Sequence, residues 1–364
     1  MSRPLVANIR LDAFRHNYLL ARKTHGGRAL AVVKANAYGH GAVPCAKAVE
    51  DVADGFAVAA IEEALKLREA GIAAPILLLE GFFDAAELAE IAAKNLWTVL
   101  HHQWQVEALM AARLSAPLTV WLKMDSGMHR VGLEPEEYRA AYKKLAEHPN
   151  VAHIVLMNHF ACADEAASVH PLQQIEIFRS AIDGITAPIS LSNSAGILGW
   201  SRSHANWARP GIMLYGVDPF FGQERGPGHP PGNGLRPVMQ LESALISTRT
   251  IASGEPVGYG CTFVAEHPTR VGVVACGYAD GYPRVAPTGT PVAVDGKLTR
   301  LIGRVSMDML TVDLTDLPDA KLGSRVELWG DRVAVADVAN RAGTIAYELL
   351  CNVKRARFEY SDKS

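Results

Sequence analysis

The chain has 364 residues, of which 49% are hydrophobic and 20% charged, and this composition excludes an intrinsically disordered chain. Its length fits a large domain with a smaller partner domain, or two domains of medium size. The formal net charge of -2 creates no field that would concentrate nucleic acid or anionic lipid. We therefore expect a small-molecule partner, with no nucleic-acid and no membrane partner.

The cysteines and the N-terminus bear on the cellular compartment. Five cysteines, at positions 45, 162, 261, 276 and 351, show no CxxC spacing for zinc or a redox pair, so we expect reduced, mostly buried thiols. The opening residues MSRPLVANIRLDAF lack the apolar run of a secretory signal. No run of about 18 apolar residues follows anywhere, so we expect a cytoplasmic protein.

The first two thirds of the sequence predict a barrel. The N-terminal segment VANIRLDAF (6–14) is strand-like, and we expect it to pair with a second domain. After it, apolar runs alternate with helical periodicity: ALAVV (29–33), GFAVAA (55–60), PILLLEG (75–81), LWTVLHH (96–102), LTVWLKM (118–124), HIVLMNHF (153–160), ISLSNS (189–194) and GIMLYGV (211–217). Eight strands separated by helix-length segments predict a (β/α)8 TIM barrel, and a doubly wound open sheet is the alternative.

The segments between these runs read as ordinary outer helices. In 59–71 and 84–95, apolar residues recur at spacings of three and four, with charged residues on the opposite face. Packing with solvated charges explains this pattern. We therefore assign these helices no functional role.

A change of composition marks the second domain. Residues 222–237, GQERGPGHPPGNGLRP, hold too much glycine and proline for a helix or a central strand and predict a linker. Beyond it, short alternating segments bounded by turns predict an antiparallel β domain, and a helical stretch (335–353) precedes a final strand. We therefore divide the chain into a barrel (1–234) and a mainly β domain (235–364).

Chemically active residue types lie where barrel strands end. Lys34 directly follows the first run, His159 the sixth and Ser194 the seventh, while residues 207–212 adjoin the eighth. Working residues of a (β/α)8 barrel lie at these carboxyl ends, and phosphate often binds after strands 7 and 8. An amine at the Lys34 position can form a Schiff base with a carbonyl compound, although a lysine that merely reaches solvent is the alternative.

Several strings together resemble one enzyme family. They are AVVKANAYGHG (31–41), KMDSGMHRVG (123–132), NHFACAD (158–164), SNSAG (192–196), RPGIMLYG (209–216), VGYGCTF (257–263), GYADGYPR (277–284), GRVSMDM (303–309) and TIAYELL (344–350). In this order they resemble the alanine racemases, fold-type III pyridoxal-phosphate enzymes, over nearly the whole chain. The lysine and VGYG strings are the most specific.

The resemblance implies how pyridoxal 5'-phosphate is held. Lys34 would carry the cofactor aldehyde, and hydroxyls of Tyr38, Ser194 and Tyr347 would bind its phosphate with the backbone of Gly211 and Ile212. This agrees with the phosphate site that the barrel pattern predicts. Arg209 would donate to the pyridine nitrogen, and a guanidinium does not release its proton to that nitrogen. The unprotonated pyridine ring would be a weaker electron sink, which would favour return of the proton to Cα over transamination.

The resemblance also implies two catalytic bases from two subunits. Racemisation removes a proton from one face of Cα and returns it to the other, so groups on opposite sides suit the reaction. Lys34 would serve one face, and Tyr259 of a neighbouring subunit the other, which makes the protein a homodimer with shared sites. A phenol is a poor base at neutral pH unless positive charge stabilises its anion. A chain from Tyr259 through His159 to Arg209 would supply that charge.

The remaining site residues follow from the same resemblance. Arg130 would contact the substrate carboxylate, and Lys123 resembles a lysine that is often carbamylated and paired with that arginine. Met307 of the partner would offer a backbone N–H to the substrate, with Asp308 as a supporting neighbour. By the same resemblance, a narrow access channel suited to alanine would be lined by Tyr278, Asp164 and Arg284. The sequence does not distinguish D-alanine synthesis for peptidoglycan from D-alanine catabolism.

Three alternatives remain at this point. A related decarboxylase would place an acidic residue where Arg209 lies, and a non-catalytic pyridoxal-phosphate-binding protein would lack residues 235–364. A metal-dependent barrel enzyme would need clustered histidine and carboxylate ligands, which we do not find, so we expect no metal.

One departure from the family pattern is Asn158, where serine or threonine is common. We expect it to affect the hydrogen bonds that set the His159 tautomer.

Overall fold

The computed structural model describes residues 3–223 and 234–362. The first half contains β1 (Val6–Arg10), α1 (Leu11–His25), β2 (Arg28–Ala29), β3 (Ala31–Val32), α2 (Lys34–Tyr38), α3 (Ala42–Val49), β4 (Phe56–Val58), α4 (Ile61–Glu69), β5 (Ile76–Leu78), α5 (Glu87–Ala93), β6 (Trp97–Leu100), α6 (Gln103–Ala111), β7 (Leu118–Lys123), α7 (Pro135–Ala146), β8 (Val151–Met157), α8 (His170–Ala181), β9 (Ile189–Ser190), α9 (Ser194–Gly199) and β10 (Trp207–Ala208). Short 3-10 turns follow at Ser201–Ser203 and Ile212–Tyr215.

The parallel strands close into a (β/α)8 barrel, which confirms the expected fold. Strands β3 to β9 pair in sequence order, and β10 pairs in parallel with β2, which lies directly before β3. The Arg209 N–H donates to the Ser192 carbonyl across 2.9 Å and so joins the end of β10 to that of β9. Parallel strands covered by helices are buried on both faces, which explains their near-continuous apolar runs.

One strand prediction was wrong. The run 211–217 is not the eighth strand, because Ile212–Tyr215 forms a 3-10 turn and the strand is Trp207–Ala208. The turn is as apolar as a strand because all four of its residues are buried. Apolar runs of this length do not distinguish a buried turn from a buried strand.

Tryptophans fill the barrel interior. The Trp207 ring lies 5.7 Å from those of both Trp97 and Trp121, and the latter two are 6.2 Å apart. Because β10 is not a sheet neighbour of β6 or β7, these contacts cross the interior of the barrel. Trp121 is fully buried. We call these three residues the tryptophan cluster.

The second half is mainly β, as expected. It contains β11 (Met239–Ile251), β12 (Pro256–Val257), β13 (Phe263–Val264), β14 (Thr269–Val274), β15 (Pro291–Val294), β16 (Lys297–Arg300), β17 (Leu310–Asp313), β18 (Arg325–Trp329), α10 (Val335–Arg341), α11 (Ala346–Cys351) and β19 (Arg357–Ser361), with 3-10 turns at Tyr259–Cys261 and Tyr278–Asp280. One sheet runs in the order β16-β15-β18-β11-β1-β19. In the same sheet, β14 pairs with β11, and β17 pairs with β14. The N-terminal strand β1 therefore belongs to this sheet.

Other expectations concern the last helical stretch, the cysteines, the linker and membrane spans. The helical stretch 335–353 is two helices, α10 and α11, because Gly343 adopts a φ of 69° between them. Only Cys45 and Cys276 are buried, while Cys261 and Cys351 are exposed, so the expectation of mostly buried thiols was wrong. The linker residues 224–233 lie outside the described residues, and the domain boundary at 234/235 stays a prediction. No helix among the described residues is long and apolar enough to cross a membrane.

Candidate active site

Lys34 begins an unusual turn directly after β3. The four residues that follow it, Ala35 to Tyr38, have φ between 49° and 54° although none is glycine. Left-handed conformation costs roughly 1–2 kcal/mol for each such residue, so the surroundings must hold this turn in place. We call Lys34–Tyr38 the Lys34 turn. Lys34 itself is half-buried at the barrel rim.

His40 and the last helix lock the far end of the Lys34 turn. The Nδ1 atom of His40 lies 3.0 Å from the carbonyl oxygens of both Ala37 and Tyr38, which accept its proton. Burial lowers the pKa of His40 to about 4, so the ring is neutral at pH 7. A Cβ on Gly39 would lie 2.2 Å from the Leu350 carbonyl oxygen, so α11 packs closely on the turn.

Tyr38, Ser194 and Gly211 form a cradle of polar groups. The Ser194 hydroxyl accepts the Gly211 N–H at 2.9 Å and the Met213 N–H at 3.3 Å. A Cβ on Gly211 would lie 2.6 Å from the Tyr38 hydroxyl oxygen, so glycine lets these groups converge. Buried Ile212 follows Gly211 and opens the 3-10 turn. Hydroxyl and main-chain N–H groups of this kind can bind a phosphate group.

Tyr347 joins this cradle from the second half of the chain. Its ring centroid lies 5.7 Å from that of Tyr38, which stacks on Tyr215 at 4.6 Å. Burial raises the pKa of both the Tyr38 and Tyr347 hydroxyls, so both remain proton donors at neutral pH. Within residues 3–223 and 234–362, neither hydroxyl has a recorded hydrogen-bond partner. Both are therefore available to a bound anion.

Arg209 is a buried cation fixed by main-chain oxygens. Its guanidinium donates to the Ser190 carbonyl at 2.9 Å, to the Ser190 hydroxyl at 2.5 Å and to the Asn158 carbonyl at 2.6 Å. The residue is 4% exposed, and burial lowers its pKa to about 10, which leaves it protonated at pH 7. No carboxylate of the described residues forms an ion pair with it. A fixed donor of this kind can polarise an acceptor without losing its proton.

Cations surround Lys123 and His159 beside Arg209. Burial, followed by the charges of Arg130 and Arg209, lowers the pKa of Lys123 to about 7. Burial and the same arginines, with Lys123 and Lys34, hold the pKa of His159 well below its ordinary value. His159 is therefore neutral at pH 7. The barrel rim thus brings together five of the predicted site residues.

Asn158 does not act on His159 in the way we expected. Its amide nitrogen donates to the Ser126 hydroxyl at 3.0 Å, and its fully buried Oδ1 has no partner. Gln174 donates to the His159 main-chain carbonyl at 3.1 Å. Among the described residues no hydrogen bond joins the Asn158 side chain to the His159 ring, so the proposed control of its tautomer was wrong.

Two further predicted site residues of the β domain, Tyr259 and Met307, are exposed. Tyr259 is 70% exposed and Met307 54% exposed. Their segments adjoin each other, since a Cβ on Gly260 would lie 3.0 Å from the Arg304 guanidinium. No hydrogen bond or ring contact between Tyr259 and a rim residue is recorded in the described parts of the chain.

Two of the predicted access-channel residues, Tyr278 and Arg284, lie on the β domain. The Tyr278 N–H donates to the Ser306 carbonyl at 3.0 Å, and the Arg284 guanidinium lies 6.0 Å from the centre of the Tyr278 ring. Asp308 accepts a hydrogen bond from Arg355 at 2.7 Å. Asp164 instead lies exposed after β8 on the barrel, where its charge contributes to the raised pKa of Tyr347.

One possible metal-ligand cluster escaped the sequence analysis. Ligand atoms of Asp125, His129 and Glu134 lie within 4.8 Å of one another. One Asp125 oxygen already accepts the N–H groups of Gly127, Met128 and His129, at 2.9 to 3.1 Å. His129 and Glu134 are exposed. The cluster corrects our statement that no such group is present, but it does not belong to the cradle.

Sequence reasoning missed two residues beside Lys34. His40 lies within the AYGHG string, and its position two residues after Tyr38 was the available signal. Glu63 lies in the segment 59–71 that we took for a plain outer helix. Its carboxylate in fact accepts the N–H of Ala35 in the Lys34 turn. Nothing in the helical periodicity distinguishes it from a solvated glutamate.

Comparison with known proteins identifies the family. Residues 9–219 match the alanine racemase N-terminal domain and residues 238–360 the alanine racemase C-terminal domain. An alanine racemase of Pseudomonas syringae pv. syringae is 59% identical over 360 residues, covering 99% of each chain. The crystal structure of the biosynthetic alanine racemase from Pseudomonas aeruginosa superposes with a TM-score of 0.94 at 51% identity, covering 99% of each chain. The alanine racemase from Bartonella henselae with covalently bound pyridoxal phosphate superposes with a TM-score of 0.85 at 31% identity, covering 98% of this chain and 99% of that one. The chain belongs to the alanine racemase family.

Proposed function

We propose that this chain interconverts L-alanine and D-alanine with pyridoxal 5'-phosphate as its cofactor. The observation that supports these residue roles is the convergence of Lys34, the Tyr38–Ser194–Gly211 cradle and Arg209 at one rim. Hydroxyl and N–H donors suit the cofactor phosphate, and Tyr347 and Ile212 complete that set. When bound, the cofactor supplies the electron sink that makes the Cα proton of an amino acid acidic.

Arg209 faces the cofactor ring nitrogen in this proposal. Its pKa of about 10 keeps it protonated at neutral pH, so it donates a hydrogen bond without transferring a proton. Main-chain carbonyls hold the guanidinium in place, so the donor needs no reorganisation when substrate arrives. This arrangement limits the electron sink and favours return of the proton to Cα over side reactions.

Lys34 and Tyr259 are the two proton-transfer groups. The Lys34 amine serves one face of Cα, and the Tyr259 hydroxyl of a partner subunit serves the other. His159 lies between Tyr259 and Arg209 in this proposal and is neutral, because its pKa is held well below the ordinary value. The charge that stabilises the Tyr259 anion therefore comes from Arg209 and not from a charged imidazole.

A homodimer with shared sites explains the exposure of the β-domain residues. Large apolar side chains lie open on adjoining segments of that domain: Tyr259, Tyr278, Met307 and Met309. Exposed apolar groups grouped in this way mark protein–protein contact surfaces. In the dimer, the backbone N–H of Met307 would meet the substrate carboxylate, and Tyr278 and Arg284 would narrow the access channel with Asp164 and Asp308.

Arg130 and Lys123 bind the carboxylate side of the substrate. A pKa of about 7 leaves a large fraction of Lys123 neutral at physiological pH. The neutral Nζ adds to the carbon of carbon dioxide and one proton is released, which leaves a carbamate anion. That anion would compensate the surrounding cations and orient the planar Arg130 guanidinium.

The cellular setting follows the same proposal. A small net charge of -2 is compatible with a cytoplasmic enzyme that binds neither nucleic acid nor membrane. Interconversion of the alanine isomers would supply D-alanine for peptidoglycan, and the same site would equally serve its breakdown. The alternatives are weaker, since Arg209 lies where a decarboxylase would have an acidic residue. The match over 238–360 also disfavours a barrel-only binding protein.

Subunit mixing tests the proposed function. Lys34→Ala and Tyr259→Ala proteins should each lose racemisation of L-alanine, followed as loss of optical activity and as solvent exchange of the Cα proton. Mixed in equal amounts, they should form heterodimers in which one of two sites has both wild-type groups. Statistical mixing then restores about one quarter of wild-type activity.

Mass spectrometry supplies the control for subunit exchange. Subunits of different isotopic mass show whether heterodimers form before activity is measured. Heterodimers without recovered activity would overturn the shared site. A wild-type protein that racemises no amino acid in a panel of L-isomers, with cofactor added, would overturn the function itself.

A further inference from the structure

A side chain, and not the backbone, accepts the Ala35 N–H of the Lys34 turn. Within the turn, Ala37 donates to the Val33 carbonyl at 2.8 Å, and Gly39 donates to the Ala35 carbonyl at 3.0 Å. The Ala35 N–H instead donates to Oε1 of Glu63 at 2.7 Å. A side chain from another βα unit therefore closes the start of the turn.

The Glu63 carboxylate bridges two neighbouring loops of the barrel rim. Its second oxygen, Oε2, accepts the N–H of Ala59 at 2.7 Å, directly after β4. Strand β4 pairs with β3, whose end leads into Lys34. Both bonds join a charged acceptor to a main-chain donor, and such bonds are shorter and stronger than neutral ones. The half-buried side chain thus ties the Lys34 turn to the adjacent strand end.

The position of this bond gives it a direct effect on Lys34. The Ala35 N–H belongs to the planar peptide unit that joins Lys34 to Ala35. Fixing the direction of that N–H fixes the ψ angle of Lys34, and with it the orientation of the Lys34 Cα and side chain to the rim. The other contacts, from His40 and α11, act on the far end of the turn.

We infer that Glu63 is a positioning residue that holds the Lys34 amine in the geometry for covalent attachment and proton transfer. This inference rests on the proposed role of Lys34. Helix capping alone would explain the bond to Ala59, two residues before α4 begins at Ile61, since glutamates in the first turn commonly reach back to free N–H groups. It does not explain the bond to Ala35, which lies outside α4 in the preceding βα unit.

The adjacent Glu62 provides a matched control. It lies in the same first turn of α4, is exposed, and has no hydrogen bond recorded among the described residues. Glu62→Gln therefore removes the same charge from the same helix end as Glu63→Gln. The Glu63→Gln side chain offers only one carbonyl oxygen to two N–H donors, so one bond is lost. Glu63→Asp keeps the charge but is one methylene too short to span both donors.

The test combines steady-state kinetics with hydrogen exchange of the apoenzyme. We expect Glu63→Gln to lower kcat about ten-fold, the effect of about one lost hydrogen bond to a charged group, with KM for alanine changed less than about two-fold. In the cofactor-free protein, amide exchange of the peptide spanning 34–40 should rise about ten-fold, while other peptides exchange as in Glu62→Gln. Glu63→Asp should lie between Glu63→Gln and wild type in both measurements.

Each other outcome overturns a specific statement. If Glu63→Gln matches Glu62→Gln in exchange, Glu63 does not hold the turn. If exchange rises but kcat stays at the wild-type level, the bond is structural only, and positioning of Lys34 is overturned. If Glu63→Gln fails to fold, the same comparison is made with Glu63→Asp. Borohydride reduction and peptide mapping of the wild-type holoenzyme, with no cofactor found on the Lys34 peptide, would overturn the proposed function and leave the exchange result valid.

Discussion

The two ends of the barrel interior differ in what holds them together. At the carboxyl ends of the strands, Lys34, Lys123, Arg130 and Arg209 crowd around His159 with no carboxylate pairing Arg209 among the described residues. Below them, the tryptophan cluster fills the barrel with ring contacts of 5.7 to 6.2 Å. The guanidinium of Arg28 then covers Trp207 at 4.1 Å. Repulsion between these cations therefore costs free energy at the rim, whereas the interior beneath it is densely packed.

This difference separates the residues that stabilise the fold from those that serve the reaction. Buried cations and four left-handed residues raise the free energy of the folded state, and such features persist only where the surroundings over-determine them. Aromatic burial in the tryptophan cluster supplies part of the compensation. We expect substitutions in the cluster to lower stability, and substitutions at the rim to change activity or pH dependence.

The largest expected stability effect is that of Trp121→Ala. The side chain is fully buried between Trp97 and Trp207, so truncation should cost about 3–5 kcal/mol of unfolding free energy. The Nε1 donor of Trp121 has no partner, so Trp121→Phe should cost less, because no hydrogen bond is lost. Denaturant unfolding of the apoenzyme measures both.

Cofactor binding sharpens this first prediction. The dissociation constant of pyridoxal phosphate from folded Trp121→Phe should stay within about three-fold of wild type, since the ring belongs to the packed interior. A larger change in affinity with little loss of stability would remove the distinction between rim and interior.

Lys123→Met should change how stability depends on pH. The folded pKa of Lys123 is about 7, below its ordinary value of 10.5, so between these values the unfolded chain binds more protons. Wild-type stability therefore gains from this group as pH rises through the window, and it is lowest below pH 7, where the buried amine is charged. Between pH 7.5 and 9.5, the wild-type protein should gain about 2 kcal/mol relative to Lys123→Met.

Carbon dioxide must be excluded from this measurement. Carbamylation would replace the amine by an anion and remove its titration. Denaturant unfolding in carbonate-free buffer should show the two proteins converging as pH rises. Parallel stability curves for wild type and Lys123→Met would contradict the lowered pKa.

The sequence predicted elements better than contacts between them. The parallel strands and the mainly β second half follow from periodicity and composition, both of which are local. The eighth strand was misplaced because the buried turn Ile212–Tyr215 is as apolar as a strand. The roles of Glu63 and Asn158 depend on which groups the fold brings beside them. Glu63 lies 28 positions from its partner Ala35, and helical periodicity carries no information about that distance.

Local sequence patterns also gave no information about the role proposed for Tyr259. Family resemblance, and no local pattern, assigned it to the site. In a single chain the residue is 70% exposed, and among the described residues it has no hydrogen bond or ring contact with the rim. A tyrosine in a Gly-Tyr-Gly turn is not by itself distinguishable from a surface residue, because the role proposed for it depends on a second subunit.

The smallest expected effect is that of Asn158→Ser, which lies at the boundary between rim and interior. The Asn158 Oδ1 atom is buried without a partner, so serine removes an unsatisfied acceptor but also the 3.0 Å bond to Ser126. The two changes have opposite effects on stability, so the unfolding free energy should change by no more than about 1 kcal/mol. Arg209 binds the main-chain carbonyl of residue 158, which the substitution retains, so kcat should stay within about three-fold. A larger fall in kcat at unchanged stability would mean that the Asn158 amide, and not only its carbonyl, orients Arg209.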